Sequence, residues 1–288
     1  DYAHHYAAPV NTGEPSGLDL NGDGQSDGPE DAYGFGRFPG QYGMVLLSRF
    51  PIDAQAVRSF QLLRWASMPG ALIPRWPDDR DYYPLAIWAQ LRLSSKSHWD
   101  LPIAIGGRRL HVLAAHPTPP SFDGPEDRNG RRNHDEIRLW ADYLDPVRAS
   151  WIVDDRGRSG GLPVDQPFVI LGDLNADPRR GNSVDGAIQQ LLEHPRVDAD
   201  RVPQSHGAIA AAAYAPDLAE HAADTADFGE PVPGNLRVDY ALPARGLTII
   251  DSGVYWPAEG EEGADWVRAS DHRLVWVDLE WRGEGGGS

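Results

Sequence analysis

The apolar residues of this chain fall into short runs, each of strand length and each closed by turn residues, and that pattern confines it to folds built on sheets. Tyr42–Ser48, Leu85–Leu93, Leu110–His116, Phe168–Asp173, Val238–Leu242, Leu247–Tyr255 and Arg273–Trp281 combine this length with β-branched or aromatic content. Two segments carry helical spacing instead. Asn133–Val147 places Ile137, Trp140, Ala141 and Leu144 on one face, and Ser183–Leu192 does so with Val184, Ala187, Ile188 and Leu191. Asn133 and Glu136 read as a capping box for the first, and Asp145-Pro146 as its stop. Helices this few, interspersed among strands, predict sheets packed face to face with helices outside. The 31 Gly and 25 Pro suit the turns and ordered loops of such a fold.

With 288 residues, 41% of them hydrophobic, the chain can bury a sizeable core. About 150 residues per domain would suggest two domains, but layered α/β folds use this length as one. No run of about 18 apolar residues is present, so membrane insertion is not expected. A formal charge of −17 argues against holding nucleic acid on a broadly basic surface. An acidic enzyme can still cleave polyanions when bound cations supply the positive charge. Cys is absent, which excludes disulfide scaffolds, cysteine–zinc sites, iron–sulfur clusters and thiol catalysis. There is also no G-x-S-x-G elbow, H-E-x-x-H or P-loop.

Chemically capable residues stand at strand ends. Leu113-Ala114-Ala115 delivers His116-Pro117, and Val169-Ile170-Leu171 delivers Gly172-Asp173-Leu174-Asn175. Arg237-Val238-Asp239-Tyr240 lies within a strand, and Ser270-Asp271-His272-Arg273 opens the last one. Any one of these has a plain structural reading as a turn or a cap.

Together, in this order and spacing, the four motifs resemble the endonuclease/exonuclease/phosphatase superfamily. Phe38-Pro39-Gly40-Gln41-Tyr42-Gly43 and Leu47-Ser48-Arg49-Phe50-Pro51 extend the likeness, which runs from about Gln41 to Leu279. The resemblance implies an α/β (α+β) fold, a four-layered sandwich of two packed, mainly antiparallel sheets with outer helices. It implies a divalent-metal-dependent phosphoesterase that hydrolyses phosphodiester or phosphomonoester bonds with an activated water. Asp173 would orient and deprotonate that water, with Asn175 beside it holding the phosphoryl group or the nucleophile. Asp271 would ligate Mg2+ or Mn2+, with Ca2+ a further candidate. His272 would donate to a non-bridging oxygen, Asp239 would hold its other ring nitrogen, and His116 would support phosphate binding or protonate the leaving group. The expected partner is a phosphate ester, with nucleic acid as one possible class.

Family members normally open with a strand carrying an Asn and then a strand ending in a Glu that ligates metal. Neither is recognisable here, since Glu14 sits in the turn-like Asn11-Thr12-Gly13-Glu14-Pro15. The expectation is a fold lacking its N-terminal strands, with an open sheet edge that a second chain or copy could complete. Residues 1–40 read as an extension, 41–281 as the family domain and 282–288 as a flexible tail. Within the extension, Asp19 to Glu30 fits the calcium loop D-x-[DN]-x-[DN]-G-x5-E. Asp19, Asn21, Asp23, Gln25, Asp27 and Glu30 would be the ligands of a structural Ca2+, Gln25 through its carbonyl. The alternative is an acidic surface loop, favoured by the lack of flanking amphipathic helices and by Pro29.

Weaker signals remain. Asp127–His134, with its basic stretch Arg128–Arg132, could receive a phosphate at a helix start or be a solvated cap. His4-His5 reads as an exposed pair, Ala208–Ala213 as a helix former, and Trp65, Trp76 and Trp99 as core residues or a substrate rim. The calcium loop, the acidity and the near absence of Lys relative to Arg suggest a secreted protein. The rival reading, motivated by the missing ligand and the open edge, is an inactive family member serving as a secreted binding or self-assembling module.

Overall fold

The computed structural model describes residues 1–212, 215, 217–229 and 233–281. The expected tail 282–288, and parts of the Ala208–Ala213 helix and of the acidic loop before Pro233, lie outside the described residues. In chain order the elements are β1 (His4–Tyr6), β2 (Leu46–Ser48), β3 (Arg58–Ser59), α1 (Leu85–Trp88), β4 (His98–Ile105), β5 (Arg108–Ala115) and α2 (Arg128–Leu144). They continue with β6 (Phe168–Asp173), α3 (Gln189–Leu192), α4 (His206–Ala211), β7 (Ala226–Asp227), β8 (Asn235–Leu236), β9 (Asp239–Pro243), β10 (Leu247–Tyr255) and β11 (Leu274–Trp281).

A five-stranded sheet in the order β3-β4-β5-β6-β9 organises the chain. Only its β5–β6 pair is parallel. Both of its faces are covered, which is why the central strands read as unbroken apolar runs. On one face Leu113, Ala115, Phe168, Ile170, Tyr240 and Leu242 pack against Ile137, Trp140, Ala141 and Leu144 of α2. On the other, Trp99, Leu101, Ile103, Val112 and Val169 meet Val10, Tyr6, Leu46 and Leu279. β1 pairs with β2 and β10 with β11 in two separate sheets, which contribute Tyr6, Leu46 and Leu279 to the face opposite the helices. The result is a mixed α/β sandwich of several sheets and few helices, as the resemblance implied. The segment before residue 41 joins this core through β1 and Val10.

Several local expectations need correction. Leu85–Leu93 is not a strand: Pro84 starts the single turn α1, and Leu85 is 80% exposed. The strand expected over Tyr42–Ser48 shortens to β2. α2 begins at Arg128, with Asp127 in the left-handed region as its cap residue, so Asn133 and Glu136 lie inside the helix and form no capping box. Instead the Asn133 amide donates to the carbonyls of Thr118 and Leu174, and the Glu136 carboxylate accepts from the amides of Ser95 and Thr118. The second helix shrinks to α3, because Gly186 at φ 78° interrupts it, although Ala187, Ile188 and Leu191 stay buried. β4 escaped notice because Pro102 stands inside it and its polar residues are as buried as its apolar ones. His98 bonds Ser94 and the Glu136 carbonyl, and Asp100 accepts from the Tyr143 hydroxyl at 2.6 Å.

One glycine is dictated by packing. At Gly172 (φ 151°) a Cβ would lie 1.9 Å from the Ala115 carbonyl oxygen, so β6 can approach β5 this closely only without a side chain. Gly172→Ala is expected to cost about 3 kcal/mol or more, read as a lower urea midpoint. His98 gives a pH signature, since burial pushes its ring down to about 4. The unfolded chain binds that proton near pH 6.5 and the folded chain only near 4, so stability should fall as pH drops through this window, by about 3 kcal/mol. Urea unfolding at pH 7, 5.5 and 4 checks this, and His98→Gln should flatten the slope.

Candidate active site

The sheet register brings the four motifs together. β5 and β6 run parallel with Ala114 beside Leu171, so His116 and Asp173 leave the same sheet edge. β6 and β9 run antiparallel with Asp173 directly opposite Asp239. Two carboxylates facing each other across a strand pair repel, and such pairs are avoided where only stability is at stake. His272 precedes β11 and bridges at residue 226 to the start of β7.

The resulting distances are short. Asp173 Oδ2 lies 3.3 Å from His116 Nε2 and 3.8 Å from His272 Nε2. His272 Nδ1 donates to Asp239 Oδ2 at 2.9 Å. Asn175, held at φ 52°, a conformation Asn tolerates better than most residues, donates its backbone N–H to Asp173 Oδ1 at 2.9 Å and its amide to Asp173 Oδ2 at 3.2 Å. All five side chains are partly buried, at a site that opens to solvent.

These surroundings set the protonation states. Burial pushes the Asp173 carboxyl up to about 7, reinforced by Asp239 and opposed by His272. The Asp239 hydrogen bond raises His272 to about 9 against the effect of burial, making it an imidazolium at neutral pH. Burial, together with the charges of Lys96 and His272, holds His116 well below the usual range and keeps it neutral. The site thus sets a neutral and a charged imidazole around a carboxyl that titrates near neutrality.

The donor chemistry suits a hard cation. Oxygens of Asp173 and Asp239 lie within 4.8 Å of each other and of the His272 ring, and a cation on the carboxylates would relieve their repulsion. The His272 imidazolium, a donor to Asp239, offers that cation no lone pair. Asp271 lies next to His272 in sequence, but its side chain is exposed and is not part of that close group. In the 19–30 segment, Asp19 accepts from the amides of Gly22, Asp23 and Gly24, and Asp23 accepts from Gln25 and from the Asn21 amide. Asp27 and Glu30 are exposed. The buried carboxylate closing the loop is Asp31, which accepts from Leu20 and Gly28.

Other candidates separate by burial and by their partners. Trp65 and Trp99 are core residues at 1% and 0% exposure and form no rim, whereas Trp76 packs on Tyr82 away from the core. His4 and His5 form part of β1, with His5 exposed. The basic stretch is a brace: Arg132 donates to the carbonyls of Leu93, Arg92 and Tyr33, and Arg131 to that of Ile73. Arg128 pairs with Glu126.

Sequence reasoning missed Thr225 and Phe228. The buried Thr225 hydroxyl accepts from the amides of Val238 and Asp239 at 3.0 and 2.9 Å, while its carbonyl accepts from the Arg273 amide. It therefore clips the Asp239 strand to the His272 turn. Phe228 meets the His272 ring edge-on at 5.4 Å. Neither stands in a recognisable motif, and only the chain crossing at β7 reveals them.

An α/β sandwich with acid, amide and imidazole groups gathered at the ends of its central strands is an architecture of phosphate-ester hydrolases. The chain belongs to the Endonuclease/Exonuclease/phosphatase family, whose sequence profile matches residues 3–272. The family comprises hydrolases, among them nucleases and phosphatases. Among solved structures, an endonuclease/exonuclease/phosphatase from Beutenbergia cavernae is similar at 16% identity and TM-score 0.51, over 97% of this chain and 54% of that one. The chain therefore spans about half the length of that relative. Human Nocturnin's catalytic domain is similar at 11% identity and TM-score 0.42, over 83% and 63% of the two chains. Sphingomyelinase C from Streptomyces griseocarneus is similar at 14% and 0.40, over 81% and 63%. A comparison with curated proteins gave no match.

The Asp239 bond to His272 yields a direct prediction. In Asp239→Asn the His272 titration, followed by NMR, should fall from about 9 toward the ordinary 6.5, a shift of at least about one unit. An unchanged midpoint would contradict the pairing.

Proposed function

We propose that this chain hydrolyses phosphate monoesters or small phosphodiesters with a divalent cation and an activated water. The observation that carries the reading is Asp173 Oδ2 within 3.3 and 3.8 Å of the His116 and His272 imidazoles, with Asp239 on the other ring nitrogen of His272. A carboxyl titrating near 7 is suited to accept a proton from water at neutral pH. Asn175 fixes both of its oxygens. The His272 imidazolium, aimed by Asp239, donates to a non-bridging phosphoryl oxygen. Neutral His116 positions the phosphate or serves the departing alkoxide. Asp271 would ligate Mg2+ or Mn2+, with Ca2+ a further candidate. When bound, such an ion polarises the phosphoryl group and compensates its charge.

Nucleic acid is the less favoured substrate, because the net charge is −17 and Arg131 and Arg132 are engaged with backbone carbonyls. A structural Ca2+ at residues 19–30 and an extracellular setting belong to the same reading. They are supported by the curl of the loop around Asp19 and by the acidic composition.

The test is turnover of a bis-aryl phosphodiester and the matching monoester with Mg2+, Mn2+ or Ca2+, and with a chelator. Chelator-sensitive hydrolysis is expected, reduced roughly 10²–10⁴-fold in Asp173→Ala and in His272→Ala. Melting in the same series should show stabilisation by Ca2+ that Asp19→Ala removes. Turnover indifferent to both active-site variants would defeat the proposal, and absence of turnover under every condition would favour the binding-module reading.

A further inference from the structure

The chain contains 26 basic residues, of which Lys96 is the single lysine. It lies in the turn that leads into β4 and is 4% exposed. A buried ammonium has three donors to satisfy and is costly to desolvate, so an apolar residue of similar length would stabilise the fold better unless the charge has a use. Its Nζ donates to the Pro117 carbonyl at 3.2 Å, immediately after His116. The same carbonyl accepts the Asn175 amide at 3.1 Å, and that amide reaches Asp173 Oδ2 at 3.2 Å. A contact chain therefore runs from Lys96 through one backbone oxygen to the carboxylate at the centre of the site.

Glu136 braces this chain from α2. Its two carboxylate oxygens accept from the Ser95 and Thr118 amides, at 2.5 and 2.6 Å, gripping the backbone next to Lys96 and next to Pro117. Burial lowers the Lys96 pKa to about 8, resisted by the negative charges of Glu136 and Asp173, so the group is a cation at neutral pH. Its field reaches the site, because it helps keep His116 neutral. Arg132, the other cation that bears on it, is bound to the carbonyls of Leu93, Tyr33 and Arg92.

We propose that Lys96 is a positioning residue of the phosphoryl site: its ammonium tethers the Pro117 carbonyl, and with it Asn175 and Asp173, and lends a fixed positive charge to the anion bound there. The proposal rests on the phosphoesterase reading and adds to it a protein-borne cation. In a chain of net charge −17, this local charge offsets the repulsion that a phosphate would otherwise meet.

The single lysine makes the test direct. The full chain labelled with 15N at lysine Nζ gives one side-chain signal, which is followed with the His116 and His272 ring signals during addition of inorganic phosphate in Mg2+. The lysine signal is expected to move on the same binding curve as the imidazoles. Lys96→Met should weaken phosphate binding at least tenfold with an unchanged near-UV spectrum, and Lys96→Arg should recover part of the loss. Imidazoles that respond while the lysine stays still, or Lys96→Met binding like the parent, would overturn this proposal and leave the phosphoesterase reading intact. Silence from all three groups would overturn both. If Lys96→Met fails to fold, the lysine signal of the parent chain decides the matter.

Discussion

Asp173 and Asp239 face each other across β6 and β9, and the rest of the molecule is arranged around that unfavourable pairing. Like charges at directly opposed positions destabilise a sheet by up to about 1 kcal/mol when exposed, and by more when water is partly excluded. The pairing survives because each carboxylate has compensating partners. Asp239 accepts from the His272 ring, while Asp173 accepts two bonds from Asn175 and faces His116. The consequence is a carboxyl raised to about 7 beside an imidazole raised to about 9, two groups whose shared environment raises the proton affinity of both.

Holding the pair requires that three chain segments stay in register to within a hydrogen bond. Gly172 lets β6 lie against the Ala115 carbonyl, which fixes Asp173 relative to His116. Thr225 fixes Asp239 relative to the His272 turn through three backbone contacts. From the helix side, Asn133 and Glu136 bind backbone groups of the loops that follow β5 and β6 and of the turn before β4. Each link joins a side chain to the backbone of a distant segment. Backbone groups are fixed points of the fold, so the site inherits the rigidity of the core and not that of its loops.

That same choice of partners explains how much was legible in the sequence. β6 could be read because both of its faces are buried, which leaves Phe168-Val169-Ile170-Leu171 as an uninterrupted apolar signal ending at the acid. The buried stripe of α2 was legible for its period, but its start was not, because Asn133 and Glu136 look like a cap and act instead as interior braces. β4 was not legible, since Pro102 stands inside it and its polar His98 and Asp100 are as buried as its apolar residues, their satisfaction depending on Ser94, Glu136 and Tyr143 elsewhere. Leu85–Leu93 had strand composition without a neighbouring strand, and composition alone does not pair a backbone. At the site, the residues in motifs were found from spacing. Thr225, Glu136 and Lys96 were not, because a side chain bonding to a remote carbonyl or amide leaves no periodic trace.

Charge follows the same division between composition and placement. The sum of −17 suggests a surface that repels anions, yet the charged groups gathered at the site are selected individually. Arg131 and Arg132 are occupied in bracing the start of α2, and Arg273, next to His272, donates to the carbonyls of Ser270 and His272. Two cations bear directly on Asp173: the His272 imidazolium and, behind the Pro117 carbonyl, the Lys96 ammonium. Both are partly or fully desolvated, where a unit charge acts several times more strongly than at the surface. Arginines held by carbonyls therefore build the scaffold. On the proposed reading, the two cations near the paired acids would give an acidic protein a local preference for a phosphoryl group that its net charge would not indicate.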